Sequence, residues 1–447
     1  MPPGSSGKLV RVTPSAMLSV SEARDRLLAG LTPLDRQVVR IDESLNRVLA
    51  EEVRASIALP PFDNSAMDGY AVRAADVGTA TIGKPVILEV SGDIPAGIVE
   101  ARALTPGAAM RIMTGAMLPD GADAVVPVES TTSPSAMSGV ELPERIEVVS
   151  AVGVGEHVRR AGGDVQPGQL ILQRGVRLGP PHIGMLASLG IPSISVYRKP
   201  RVALLSTGDE LVEIDQAIRP GQIHDGNGYA LAAATRAAGG TPLRLGIVPD
   251  RLEAVIACLE QALALDADLI VSSAGVSLGA FDFVRAAIER EGRLEFWRVN
   301  IRPGKPFVYG SYRNLPFVGL PGNPVSALVT FEVFVRPMLD RMSGMAETAR
   351  THLRARLTEP VGSDGRESYL RAIVTWENGS YQAILAGSQD SGVLSSLVRA
   401  NGLIVLPAGS RSLPVGEEVE VWLTGGLGDT AGQSETPGTE ILSVDRE

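Results

Sequence analysis

SSAGVSLGAFDFVRAAIEREGRLEFWRVNIRPGKPFVYGSYRNLPFVGLPGNPVS, residues 272–326, is the stretch around which the rest of the chain is organised. The apolar run Leu269-Ile270-Val271 just before it reads as a buried strand that breaks into a loop of small residues. Gly275 and Gly279 allow close backbone approach, and Ser273 and Ser277 add hydroxyls. The run from Phe281 to Arg290 has helical character, so the loop opens onto a helix N-terminus, a place where an anion can sit. Arg302 and Lys305 flank a Pro-Gly turn and put two cations on one rigid corner. A second helix start follows Leu320, with Asn323 as N-cap and Pro324 as first helical residue. Taken singly these features are ordinary: glycine-rich turns reverse the chain in most α/β domains, and an Arg/Lys pair reads as solvated surface. Two helix mouths and two cations in one α/β unit point instead to a phosphorylated ligand. The P-loop pattern is absent, and no Gly-x-Gly-x-x-Gly follows a strand.

Outward from this stretch, strand and helix alternate from Pro200 to about Met345. Val202–Leu205, Leu243–Val248 and Leu269–Val271 read as strands; Tyr229–Ala238, Arg251–Ala264 and Pro324–Leu339 read as helices. That order predicts an open, doubly wound, mainly parallel sheet, and such sheets bind ligands outside the carboxyl ends of their strands. The loops carrying Glu210, Ser273 to Asp282 and Gly322 to Ser326 are therefore expected to share one edge. Gly221 to Gly228 joins them, with Asp225 and Asn227 as nucleotide contacts or as ordinary turn formers.

The flanks differ in character. Residues 1–17 form a Pro/Gly/Ser-rich tail. Ser19-Val20-Ser21-Glu22 has capping-box form and opens a helix to about Ala29, and Asp42 to Leu49 is a second short helix candidate. With the apolar face around Pro181–Gly190 they are assigned to a small, discontinuous helical N-terminal domain, 18–52 and 159–198. Between its parts lies a β-rich inserted domain, 53–158, of short segments punctuated by Gly and Pro. Its loop from Pro61 to Tyr70 holds Asp63, Asn64 and Asp68, read either as an Asx-turn or as a metal ligand or base. A second polar loop, Arg111 to Ala116, carries Thr114, and a third, Arg159 to Asp164, closes the region. The α/β domain spans 199–346, short strands return in a C-terminal β-barrel domain, 347–424, and residues 425–447 are polar and expected to be disordered.

Composition narrows the function. The chain has 447 residues and a formal net charge of −10, so an anionic ligand must be drawn by a local basic pocket rather than by a general affinity for nucleic acid. Its one cysteine, Cys258, sits in a helical stretch and reads as a small core hydrophobe, which fits a reducing cytoplasm. Four scattered histidines make no zinc spacing; any metal is expected on oxygen ligands, as Mg²⁺ is. No apolar run approaches a membrane span, and no signal-peptide pattern is seen.

Eight motifs, in order, are similar to those of the molybdopterin molybdotransferase family, the bacterial molybdenum-insertion enzymes that share their fold with the gephyrin E domain. They are PPFDNSAMDGYAV (60–72), RIMTGAMLPDGADAVVPVE (111–129), RRAGGDVQPG (159–168), STGDEL (206–211), GQIHDGN (221–227), SAGVSLGAFDFV (273–284), RPGKPFVYG (302–310) and GLPGNPVS (319–326). The resemblance implies a four-domain homodimer whose cleft is shared with the β-rich domain of the other subunit. The implied reaction hydrolyses adenylylated molybdopterin with Mg²⁺ and transfers molybdenum from molybdate to the dithiolene, releasing AMP. It implies catalytic roles for Asp63, Thr114, Asp164, Glu210, Asp282 and Lys305, with Glu210 and Asp282 holding metal. Ligand binding falls to Thr207, Gly208, Asp225, Asn227, Ser273, Gly275, Ser277 and Gly279, and to Arg302, Gly304, Pro306, Gly322, Asn323, Pro324 and Ser326. Arg366, Arg371 and Ser391 are weaker candidates for a molybdate access site. The partner adenylyltransferase and acceptor molybdoenzymes are further implied partners. Three positions depart from the family pattern: Arg302 replaces a lysine, Ala274 a glycine, and Ala280 offers no polar group. A non-enzymatic scaffold on the same fold is the alternative, but such a protein could lose Glu210, Asp282 and Lys305, which this chain keeps.

Overall fold

The computed structural model describes residues 17–132, 141–274, 283–345 and 351–425. The chain divides into two compact units. One takes in Val196 onward with the chain up to Gln37 and Asn46–Ala50; the other holds Val38–Leu45 and Glu51–Ser195.

The first unit is built on a six-stranded sheet: β1 (Arg201–Thr207), β2 (Thr241–Val248), β3 (Leu269–Ser273), β4 (Gly292–Arg298), β5 (Pro306–Tyr312) and β6 (Leu315–Leu320). Their spatial order is β2-β1-β3-β6-β5-β4. The first four neighbours run parallel, and β5 pairs antiparallel with both β6 and β4. The unit's helices include α1 (Val20–Ala29), α2 (Gly226–Ala237), α3 (Leu252–Ala264) and α4 (Phe283–Glu291). Alternation along β1 sorts the two faces, because successive strand side chains point opposite ways. Val202 and Leu204 pack with Leu231 and Ala232 of α2, whereas Ala203 and Leu205 pack with Val255 and Leu259 of α3. Each such buried valine or leucine side chain contributes about 1.5–3 kcal/mol, which is why the doubly wound arrangement expected from the sequence forms.

Helix α1 starts as expected: Glu22 N donates to Ser19 Oγ at 3.2 Å, and Ser19 N donates to Glu22 Oε2 at 2.9 Å. Its apolar face, assigned to the Pro181–Gly190 region, is instead buried with Met338, Leu339 and Met342. Those residues end a long helix that runs Pro324–Thr330, widens into a π-type turn over Phe331–Val335, and continues as Arg336–Met342. Pro337, which lacks an N–H, lies two residues after the wide turn ends. The helix expected over Asp42–Leu49 is only a three-residue 3₁₀ turn, Ile41–Glu43; Asn46, at φ 61°, is incompatible with its continuation.

In the C-terminal region, strands β7 (His352–Leu357), β8 (Glu367–Glu377), β9 (Ser380–Leu385), β10 (Gly402–Leu406) and β11 (Glu418–Leu423) close into a barrel. Each pairs with two neighbours in the cycle β8-β9-β7-β11-β10 and back to β8. Closure leaves no free strand edge, and the interior is filled by Ala355, Leu370, Val374, Ile404 and Val421.

The second unit is β-rich, as expected. Its five-stranded sheet has the order Ala124–Pro127, Gly69–Val72, Ala108–Ile112, Val86–Ile94, Arg145–Val148. Gly69–Val72 escaped the sequence reading because four residues after a polar loop show no period.

Candidate functional site

β1 connects to β2 on one side, and β3 then returns on its other side, so the strand order reverses between β1 and β3. That is the point at which open α/β sheets form a ligand crevice. Ser206 lies in register with Ser273, and Ser273 with Leu320, so the loops after β1, β3 and β6 open on one edge. β5 runs antiparallel to β6, with Val308 opposite Gly319, and therefore begins at that same edge. The Arg302–Lys305 turn, just ahead of β5, is delivered there too. A cavity of about 900 Å³ lies between these loops.

One wall is cationic. Arg302, Gly304, Lys305 and Pro306 all line the cavity, and among the described residues neither Arg302 nor Lys305 has an ion-pair partner. The turn is seated on the long helix: Gly304 has φ 112°, and a Cβ there would lie 2.3 Å from Thr330 Cγ2. Only glycine fits such a position. Gly322, Asn323, Pro324 and Ser326 line the next wall. Pro324 is the first helical residue and Asn323 holds the N-cap position as expected, but the Asn323 side chain makes no capping bond; its Nδ2 donates to Ser391 Oγ at 2.7 Å. Asn227 Nδ2 donates to Gly322 O, also at 2.7 Å, and so ties the 221–228 loop to this turn.

The floor is polar. Thr207, Glu210, Asp225, Asn227 and Ser273 reach the cavity; Gly208 lies behind the Glu210 carboxylate. Asp250, passed over in the sequence because Pro249-Asp250 reads as a turn, stands beside Asp209, whose Oδ1 accepts its N–H at 3.2 Å. Burial, then the charges of Asp209 and Glu210, hold the Asp250 carboxyl above its ordinary range. Among the described residues no three acidic, His or Cys side chains form a ready metal cage. Gly275, Ser277, Gly279 and Asp282 lie outside the described residues. Ala274 has φ 72°.

A loop of the barrel completes the cavity through Gln389, Asp390 and Ser391, with Arg366 beside it. Arg366 is paired with Asp364, which it holds down at about 2. Arg371 is not an open ligand. It is 1% exposed and braces the loop, donating to Ser388 O and Asp390 O at 3.1 Å and to Ser396 Oγ. Burial, followed by the charge of Arg302, lowers its guanidinium to about 10.

Asp63, Thr114 and Asp164 belong to the second unit, which gathers the three polar loops predicted there. Asn64–Ser65 pairs with Val158–Arg159, Gly115 N donates to Ser65 O at 2.8 Å, and Asp164 N donates to Leu59 O at 3.0 Å. Asp63 accepts from Ala161 N at 2.7 Å and from Arg160 Nη1 at 2.5 Å; those two bonds, in that order, hold it below the ordinary carboxylate range. Asp68 Oδ1 accepts from both Thr114 N and Thr114 Oγ1 at 2.7 Å and is lowered for the same reason. Neither carboxylate is a good proton acceptor at neutral pH; both are standing negative charges.

Three family descriptions match the chain in order: "MoeA N-terminal region (domain I and II)" over 18–190, "Probable molybdopterin binding domain" over 203–341, and "MoeA C-terminal region (domain IV)" over 354–424. A molybdopterin molybdenumtransferase of Nostoc is 39% identical, with 87% of this chain and 88% of that protein covered. The molybdopterin molybdenumtransferase of Haemophilus influenzae is 36% identical over 91% of this chain and 98% of its own. A crystal structure of a molybdopterin biosynthesis MoeA protein from Pyrococcus horikoshii OT3 superposes with a TM-score of 0.76 at 30% identity, covering 91% of this chain and 100% of that one. Sequence, domain order and fold agree: this chain belongs to the MoeA family.

Proposed function

We propose that the cleft at the carboxyl edge of β1, β3 and β6 is where this transferase joins molybdenum to molybdopterin, taking adenylylated molybdopterin and molybdate as substrates and releasing AMP. The observation that carries the reading is the pair of cations, Arg302 and Lys305, without an ion-pair partner among the described residues, on one rigid turn facing an oxygen-rich floor in a protein of net charge −10. An oxyanion brought into that corner meets two positive charges and the hydroxyl of Ser326, at a helix start without a side-chain cap. A substrate pyrophosphate lies along glycine-rich backbone rather than in an apolar slot.

Mg²⁺ fits the floor. It keeps several waters and needs only one or two protein carboxylates besides substrate phosphates, and Glu210, which lines the cavity, offers hard carboxylate oxygens there. When bound, it would offset charge on the phosphates during cleavage. The chain's own task is then positional: Lys305 and Arg302 hold the oxyanion, and Glu210 orients the attacking water.

Asp63, Thr114 and Asp164 enter this scheme through a homodimer, in which the second unit of one subunit offers its standing negative charge at the cleft of the other. The whole reading is tested by incubating purified protein with adenylylated molybdopterin, molybdate and Mg²⁺ while following AMP release and molybdenum incorporation together. Coupled appearance of both is expected; AMP without incorporation would make the protein a hydrolase.

A further inference from the structure

Behind the cavity floor lies a chain of three side chains with a fixed polarity. Asp225 is 2% exposed, and its carboxylate accepts from Ser206 Oγ at 2.9 Å to each oxygen and from Gly228 N at 2.8 Å. Arg244 Nη2 stands 3.6 Å away, shared with Glu213 at 3.2 Å, and places a positive charge beside it. Ser206, also 2% exposed, lies 3.1 Å from Ser273 Oγ. An ionised carboxylate can only accept, and a hydroxyl has a single hydrogen. The Ser206 proton is therefore committed to Asp225, Ser206 can serve Ser273 only as acceptor, and the Ser273 proton is committed to Ser206. What Ser273 turns toward the cavity is lone pairs.

We infer that Asp225 and Ser206 are positioning residues that make Ser273 an obligate hydrogen-bond acceptor, so that this point of the cleft selects a donor on the ligand, an N–H or O–H, and not a phosphate oxygen. The inference rests on the proposed function for the ligand, which offers such donors on its pterin ring and on its ribose. It divides the cleft by polarity: oxyanions belong at the Arg302–Lys305 turn, and a neutral donor edge belongs at the junction of β1 and β3.

The test uses the full-length protein and three variants, S273A, S206A and the near-isosteric S206C, each first checked for folding by thermal melting. The probes are AMP against 2′-deoxy-AMP and 3′-deoxy-AMP, 6-hydroxymethylpterin against its N2-dimethyl form, and inorganic pyrophosphate as an acceptor-only ligand. Removing the matched donor should weaken wild-type binding about tenfold, and that discrimination should vanish in S273A. In S206A the Ser273 proton loses its acceptor and is released, and in S206C, whose sulfur accepts only weakly, it is partly released, so donor ligands should bind more weakly, most in S206A, while pyrophosphate binds as well or better. A merely structural role would weaken both classes together, and that result would overturn the inference, as would discrimination that persists in S273A. If wild-type protein discriminates among these probes but does not turn over adenylylated molybdopterin, the functional reading fails and the relay stands. If it binds none of them, both fall.

Discussion

Ala274 carries a conformational cost that a glycine would not. A side chain at φ 72° costs about 1–2 kcal/mol relative to the right-handed region, while glycine gives back about 0.4–1 kcal/mol through the unfolded chain. A274G is therefore expected to stabilise the protein by up to about 1 kcal/mol in urea unfolding, and a clear loss would show that the loop depends on the methyl group. Asp250 makes a prediction in pH. Its folded carboxyl ionises above its unfolded value, so folding loses stability as pH rises from the unfolded value through the folded one. D250N should melt higher than wild type at pH 7, and the difference should close below about pH 4. Asp250 also marks the limit of what was legible beforehand. Glu210, Arg302 and Lys305 stand in motifs with a chemical signature, whereas Pro249-Asp250 is an ordinary strand end until β1 places Asp209 and Glu210 beside it. Arg371 was misjudged for a related reason: a basic residue in a strand looks available until its backbone-carbonyl partners are seen.

The elements of the α/β unit were easier to read than their partners. Apolar runs of strand length alternating with helical stretches announced the doubly wound sheet, and the short returning strands announced the barrel. The buried face of α1 was legible, but its partner some 300 residues on was not, since any apolar face of matching area would serve. The barrel yields its own test. Asn401 is 1% exposed and clamps β8, accepting from Val374 N at 2.7 Å and donating to Val374 O at 3.0 Å. N401A leaves both backbone groups buried without those partners and should cost about 2–4 kcal/mol in unfolding experiments. A cost under about 0.5 kcal/mol would mean that water or a shifted strand replaces the amide.

For the assembled protein, the two constellations, Asp63 with Thr114 in one unit and Glu210 with Lys305 in the other, are joined in the proposed homodimer. Subunit mixing tests this without a structure. D63N and K305A homodimers should each be nearly inactive, but after exchange of equal amounts about half the dimers are mixed and hold one intact site, restoring about a quarter of wild-type turnover. No recovery on mixing would confine each site to a single chain. The claim beneath all of this is that an oxyanion sits against Arg302, Lys305 and Ser326. Crystals soaked in tungstate, a heavier oxyanion of the same charge and nearly the same size as molybdate, should show an anomalous peak with its oxygens about 3 Å from the nitrogens of that turn, lost in K305A. A peak elsewhere on the protein, with none at Lys305, would contradict the account.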